Sequence, residues 1–269
     1  MIDTHLHILP SLDDGVRDFE EAITLARQLV QVGYTQVIAT PHVLGGKSFL
    51  SPEIIRKSVE QLNKILREQE IPLEVLPGAE IYLFPQLPRY VKEGRILTLG
   101  GQGKYLLVEL PVLSLPHYVE KVFFELQVAG YHPVLAHPER YSYIMNDRAL
   151  LEHWAGSGVL YQLNLRSLSG RYGSGPKEVA LWLLKHHMIS LVGTDTHHPS
   201  LENEPFLREL ALLGDSLGED GKDILMQRNP RAVLTQGAIQ RTEFQGEFIR
   251  TKSRGKGNSG KKRWRLNFF

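Results

Sequence analysis

Cysteine is absent from the 269 residues, which excludes disulfides, thiolate metal sites and any mechanism through a cysteine nucleophile. No run of about 18 apolar residues is present, so a membrane-spanning helix is not expected. The opening MIDTHLHILP lacks the basic start and apolar stretch of a secretory signal, and the expected location is cytoplasmic. Acidic residues are missing from the last twenty positions, where Arg250, Lys252, Arg254, Lys256, Lys261, Lys262, Arg263 and Arg265 stand without a counter-charge. Removing those eight cations from the net charge of +1 leaves −7 for residues 1–249. An acidic body disfavours a nucleic-acid partner, whose phosphates it would repel.

What remains is an ordinary globular composition, 42% hydrophobic and 23% charged, in a length that one α/β domain can use entirely. Residues 1–249 are expected to form one domain and residues 250–269 a basic, flexible tail. The tail's KKRWRLNFF has the make-up of a disordered solubilising segment, with a weak contact to an anionic membrane surface or an acidic partner as the alternative. Short β-branched or apolar runs alternate with helical periodicity, the pattern of repeated β-α units around a parallel sheet. Seven strands are expected, near Ile2–His5, Gln36–Thr40, Leu73–Pro77, Tyr105–Leu110, Pro133–Ala136, Val159–Leu163 and Ile189–Gly193. Helices are expected from Phe19 to a stop at Gly33, from a Ser51–Pro52 cap onward, and near 116–129, 147–156, 176–187 and 203–213.

The C-terminal ends of these strands carry one chemistry repeatedly. His5 and His7 stand at the first, His42 after the second, Glu80 after the third, Glu109 at the fourth, His137 at the fifth, and Asp195 and His197 at the seventh. The sixth ends in Gln162 and Asn164. Loops converge on that rim in a parallel barrel, so side chains distant in sequence meet there. With Asp14 from the first loop, nine imidazoles and carboxylates would share one cavity, a donor set suited to zinc, manganese or iron. A multinuclear metal centre is the consequence, since a bridging carboxylate holds two cations ~3.5–4 Å apart.

Each residue alone has a plainer reading. Isolated histidines such as His117, His132 and His153 are commonly surface or core residues, and His186 and His187 end a helix whose dipole favours positive charge. A strand-end glutamate is commonly solvated, yet Glu109 extends the apolar run LLV and needs a partner to offset desolvation. In Asp3-Thr4-His5-Leu6-His7 both imidazoles fall on one face of a strand. It is the combination that points to metal.

Six segments together, DTHLHILPSLDDG at the start, IATPH at 38–42, PGAEIY at 77–82, LLVELP at 106–111, AHPERY at 136–141 and GTDTHH at 193–198, resemble the PHP (polymerase and histidinol phosphatase) family. Within it they resemble the bacterial tyrosine phosphatases that accompany capsule and exopolysaccharide tyrosine kinases. The resemblance spans about residues 1–240. It implies an α/β fold, a distorted (β/α)7 barrel, and three divalent metal ions, commonly manganese, with Zn, Fe or Co as substitutes. His5, His7, Glu80 and Asp195 would hold one ion, Glu80, Glu109 and His137 a second, and Asp14, His42 and His197 a third.

The implied activity is metal-dependent removal of phosphate from protein phosphotyrosine, with a bacterial tyrosine kinase as partner. Arg140 would clamp the phosphate oxygens with its planar fork, while Asp195, His197 or an ordered water assists departure of the phenol. The sequence departs from the family pattern after the last strand, where PSLENEPFLREL lacks a second arginine near the metal motif. Arg208 is the nearest cation there, and Arg166 is another way to complete the clamp. Three readings compete with the main one: a PHP phosphatase for a small ester such as histidinol phosphate, a nuclease, which needs a basic groove the body lacks, and a silent fold, which has no physical reason to gather so many desolvated ligands.

Overall fold

The computed structural model describes residues 1–45, 49–199 and 204–242; the basic tail and the end of the expected domain, residues 243–249, lie outside the described residues. Among the described residues there are nine strands: β1 (Ile2–Leu6), β2 (Gln36–Ala39), β3 (His42–Val43), β4 (Glu74–Pro77), β5 (Glu80–Tyr82), β6 (Tyr105–Glu109), β7 (His132–Ala136), β8 (Leu160–Asn164) and β9 (Ile189–Gly193). They pair in the orders β1-β2-β4 and β3-β5-β6-β7-β8-β9, and every pair is parallel.

The count of seven needs correction in detail, because two rim positions hold a broken strand. β2 ends at Ala39 and β3 opens at His42, with Pro41 between them unable to donate to a ladder. β4 ends at Pro77 and β5 opens at Glu80; at the intervening Gly78 a Cβ would press on Ile38 Cγ2 at 2.6 Å. Both breaks hand the chain from the first sheet to the second. Taking each broken pair as one position restores the seven of a distorted (β/α)7 barrel. The last strand returns to the first through His7 N donating to Thr196 O at 3.1 Å and Asp195 N donating to His5 O at 2.9 Å.

Helices fill the crossovers: α1 (Phe19–Gln31), α2 (Pro52–Glu68), α3 (Leu87–Lys92), α4 (Val119–Val128), α5 (Ser142–Asn146), α6 (Ala149–Gly156), α7 (Ser174–Lys185), α8 (Glu204–Asp223) and α9 (Asn229–Thr235). The caps of α1 and α2 use local chemistry. Asp18 accepts from Glu21 N and Ser51 accepts from Ile54 N, with Pro52 in the first turn of α2, satisfying donors that a helix start otherwise leaves unpaired. α8 runs past the expected end at 213 and comprises two helical stretches that meet at a kink at Gly218, where φ is +70°. The sequence gives no warning of α3, α5 and α9, which are too short to show a clear period.

Strand residues alternate between two apolar clusters, as a period of two requires. Val37, Leu106, Val108, Leu135 and Val192 join the larger cluster with the helices. Their neighbours Ile38, Leu107, Val134 and Leu191 form the smaller one. Glu109, two residues beyond Leu107, continues that second face toward the rim, which is how a carboxylate follows an apolar run into the site. Among the described residues no helix is long and apolar enough to cross a membrane.

Candidate metal centre

The parallel register does the first work of assembly. His42 and Glu80 are direct partners across β3 and β5, and His5 and His7 sit two apart at the end of β1. His137 follows β7, and Asp195 and His197 follow β9. Both His137 (φ +32°) and Asp195 (φ +50°) are non-glycine residues in the left-handed region, backbone strain of the kind that gathers at functional sites. Close approach matters at one further position: a Cβ on Gly193 would overlap Gln162 Nε2 and His5 Cβ.

The buried floor of the site is an assembly of acceptors. His7 Nδ1 donates to Asp13 Oδ2 at 2.7 Å, and His5 Nδ1 donates to Gln162 Oε1 at 3.1 Å. With those nitrogens protonated, the Nε2 lone pairs of both rings face each other at 3.2 Å. Glu80 Oε2 lies 3.1 Å from His5 Nε2 and 3.4 Å from His7 Nε2. Asp195 Oδ1 lies 3.5 and 3.4 Å from the same two atoms. Glu80 Oε2 is buried and has no hydrogen bond. Two lone pairs and two carboxylate oxygens around one point repel unless a cation sits among them, so these residues fit a divalent metal.

Two further sets adjoin the first. His42 Nε2 and His197 Nε2 lie 3.4 and 3.5 Å from Asp14 Oδ1, and His7 belongs to that group as well. His42 Nδ1 is 3.1 Å from Glu80 Oε2 and 3.9 Å from Glu109 Oε2. His137 Nε2 is 3.0 Å from Glu80 Oε1 and 3.7 Å from Glu109 Oε1. Within His5–His7–Glu80–Asp195, within His7–Asp14–His42–His197 and within His42–Glu80–Glu109, the ligand atoms all lie inside 4.8 Å of one another. Eight of the nine candidate ligands fall in these sets; His137 falls in none of them and adjoins them through Glu80 and Glu109. The sharing differs from the expected one, with His7 and His42 each serving two sets.

Without a metal ion, a proton takes the cation's place on His5 Nε2. Burial opposes a charged His5, but Glu80 and Asp195 outweigh it and hold its pKa up at about 9. Burial alone would raise Glu80, and its neighbours His5, His137 and His42 carry it well below the usual carboxylate range instead. Glu109 is pushed up by burial and by the charge of Glu80.

Beside this floor is a cleft of about 340 Å³ lined by Arg140, Arg166, Arg171, Tyr172, Asp195 and His197, among others. Arg140 Nη1 donates to Asp195 Oδ2 at 2.7 Å, and its Cζ lies 4.7 Å from the Tyr172 ring centre. Arg208 is exposed on α8 and is not among the residues lining the cleft.

Several supporting residues escape a reading by ligand type. Asp13 orients His7, Gln162 orients His5, and Asn164 Nδ2 donates to Asp195 Oδ2 at 2.8 Å. Glu139 accepts from Asn164 N at 3.0 Å and Ser167 Oγ at 2.7 Å. Asp3 accepts from His5 N and Thr194 N, both at 3.1 Å, tying the first strand to the end of the last; burial raises it to about 6. Two polar residues at i and i+2 of a buried strand, Gln162 and Asn164, were the available signal. The plain reading holds for His153, paired with Glu120 at 3.3 Å, and for His186, at 2.8 Å from Trp182 O.

A parallel barrel with histidines and carboxylates gathered at its rim defines the class, a metal-dependent hydrolase of the TIM-like kind. The chain belongs to the CpsB/CapC family of capsular polysaccharide synthesis, which it matches over residues 1–235. It is 37% identical over 241 residues to tyrosine-protein phosphatase YwqE of Bacillus subtilis (strain 168), covering 90% of this chain and 94% of that one. It is 31% identical over 207 residues to the putative tyrosine-protein phosphatase CapC of Staphylococcus aureus, covering 77% and 80%. A crystal structure from work on YwqE and on CpsB of Streptococcus pneumoniae, described as metal-dependent tyrosine phosphatases, superposes with a TM-score of 0.84 at 35% identity. It covers 92% of this chain and 100% of that one. A lactonase of Listeria monocytogenes, 13% identical with a TM-score of 0.51 over 87% of this chain and 94% of its own, shares the fold alone.

Proposed function

We infer that this chain is a metal-dependent protein-tyrosine phosphatase of capsule or exopolysaccharide synthesis, acting on a phosphorylated bacterial tyrosine kinase. One observation carries the reading: a buried cluster of acceptors that needs cations, opening beside an arginine-lined cleft. Family membership and the relatives named as tyrosine phosphatases support it over a small ester such as histidinol phosphate.

His5, His7, Asp14, His42, Glu80, Glu109, His137, Asp195 and His197 are proposed to hold three divalent ions, with manganese preferred. Such ions supply positive charge to phosphate oxygens and lower the pKa of water toward neutrality. Glu80 is central, lying within reach of His5, His7, His42 and His137. Gln162 and Asp13 fix the tautomers of His5 and His7, so that Nε2 of each presents a lone pair.

Arg140 orients the phosphate. The Tyr172 ring and the bond to Asp195 hold its guanidinium in place, so the fork is set before substrate arrives. Asp195, which its neighbours His5 and His7 hold below the ordinary carboxylate range against burial, has no proton to give. His197 directs Nδ1 to Asp195 O at 3.1 Å, which leaves a lone pair on Nε2. Both therefore act as ligands here, and solvent supplies the proton to the departing phenolate, an undemanding task for a group of pKa ~10.

Turnover of a phosphotyrosine peptide, histidinol phosphate and a dinucleotide, each with Mn, Zn and chelator, tests this directly. Preferential, chelator-sensitive hydrolysis of the phosphotyrosine peptide is expected. A clear preference for either other substrate overturns the reading.

A further inference from the structure

The cleft beside the metal ligands holds more positive charge than one phosphate clamp requires. Arg140 is paired with Asp195 at 2.7 Å. Arg166 and Arg171 make no ion pair within 4 Å among the described residues, although the charge of both favours the ionised form of Glu209. Arg166 lies with Cζ 5.1 Å from the Phe206 ring centre, and its Nε is buried without a hydrogen bond. Arg171 is exposed and lines the same cleft. The buried acid Glu209 takes its hydrogen bond from Ser169 Oγ at 2.7 Å, and its other oxygen has no hydrogen bond.

The segment presenting these two arginines is held firmly. Asn164 Oδ1 accepts from Arg166 N at 3.0 Å, Ser169 Oγ lies 2.9 Å from Arg166 O, and Arg171 N reaches Arg166 O at 3.4 Å. Beneath the turn, buried Glu139 accepts from Asn164 N and Ser167 Oγ. Glu139 precedes Arg140, so one buried carboxylate sets the turn bearing Arg166 relative to the turn bearing Arg140. A buried guanidinium nitrogen left without an acceptor is costly unless a ligand supplies one.

We propose that Arg166 and Arg171 form a subsite for a second anion on the substrate, beside the phosphotyrosine, supplied by an acidic residue or by a further phosphate. The inference rests on the phosphatase reading and adds a sequence preference to it. Arginine suits either anion, because its fork meets carboxylate and phosphate alike.

The test uses the full chain loaded with Mn. Wild type, Arg171→Gln and Arg166→Gln are compared on p-nitrophenyl phosphate and on phosphotyrosine peptides with neutral flanks, with flanking Glu, and with a neighbouring second phosphotyrosine. Wild type should favour one or both anionic peptides over the neutral one by about tenfold or more in kcat/KM, mainly through KM, and added salt should erode the preference. The Glu and phosphate arms tell which anion is read. In each variant that ratio should collapse toward one. An unchanged ratio overturns the subsite, as does an equal loss on p-nitrophenyl phosphate and every peptide, which would place these arginines on the scissile phosphate. Should the variants not fold, the wild-type preference and its salt dependence decide alone. Wild type that hydrolyses aryl phosphate without an anionic preference removes the subsite and leaves the phosphatase reading intact, whereas wild type inactive on all aryl phosphates removes both.

Discussion

His5 and His7 bring their Nε2 atoms within 3.2 Å of each other while each ring's Nδ1 is already engaged, by Gln162 and by Asp13. Two imidazoles arranged in this way cannot satisfy one another without a shared proton or a cation. The carboxylates of Glu80 and Asp195, each within 3.5 Å of both rings, supply the charge that makes a divalent ion the better occupant. The proposed chemistry follows from that pair and its surroundings.

The support given by Asp13 should be measurable. It accepts from His7 Nδ1 at 2.7 Å and from His42 N at 3.1 Å, so it orients two proposed ligands without being one. Asp13→Asn is expected to weaken metal affinity or activity by roughly 10–100-fold, the usual effect of losing such a partner. Competition with a chelator of known affinity reads the change. Affinity and turnover equal to wild type would remove Asp13 from the account.

Stability of the metal-free protein should depend on pH in a defined direction. His5 has its folded pKa raised to about 9 from 6.5. Its contribution is complete below pH ~6.5 and disappears as pH climbs through about 9. The shift corresponds to roughly 3 kcal/mol. Thermal unfolding of chelated protein should therefore show Tm falling from pH 6.5 to 9, with a shallower slope once cations replace the protons. Identical slopes for the two forms would contradict this.

Gly193 permits the last strand to lie against the first. In Gly193→Ala the new methyl would overlap Gln162 Nε2 and His5 Cβ, displacing the very groups that set the His5 tautomer. A cost of ~1–3 kcal/mol, typical of overpacking, should accompany loss of metal. Unfolding and metal content measured together check it, and a variant with native stability and full metal would show the close approach to be unimportant.

Arg140 separates phosphate binding from metal binding. Arg140→Ala should lower kcat/KM by about 100-fold or more, as expected for a charged clamp on developing negative charge, with metal content retained. Loss of metal in this variant would mean that its bond to Asp195 is its principal function.

Much of the fold and most of the site could be read from residues alone, and the failures have physical causes. Ligand-type side chains at successive strand ends located His5, His42, Glu80 and Asp195, because a parallel barrel must gather those ends. The cap of α2 was legible in Ser51–Pro52, since capping is local chemistry, whereas the Asp18 cap of α1 went unread. Breaks at Pro41 and Gly78 were not, because whether a proline or glycine bends a strand or divides it depends on the neighbouring strand. Gln162 and Asn164 were passed over as non-ligands, although their role is to orient ligands across 157 and 31 residues of sequence. Arg171 and Tyr172 entered the cleft through a turn whose course is set by buried Glu139, a tertiary contact that periodicity does not reveal.

The most direct test is the metal content of the purified full chain, from cells supplied with manganese, beside Glu80→Ala. Two to three equivalents of divalent ion per wild-type chain, and a marked reduction in the variant with the barrel still folded, are expected. A folded wild-type protein that binds no divalent cation would contradict the central claim.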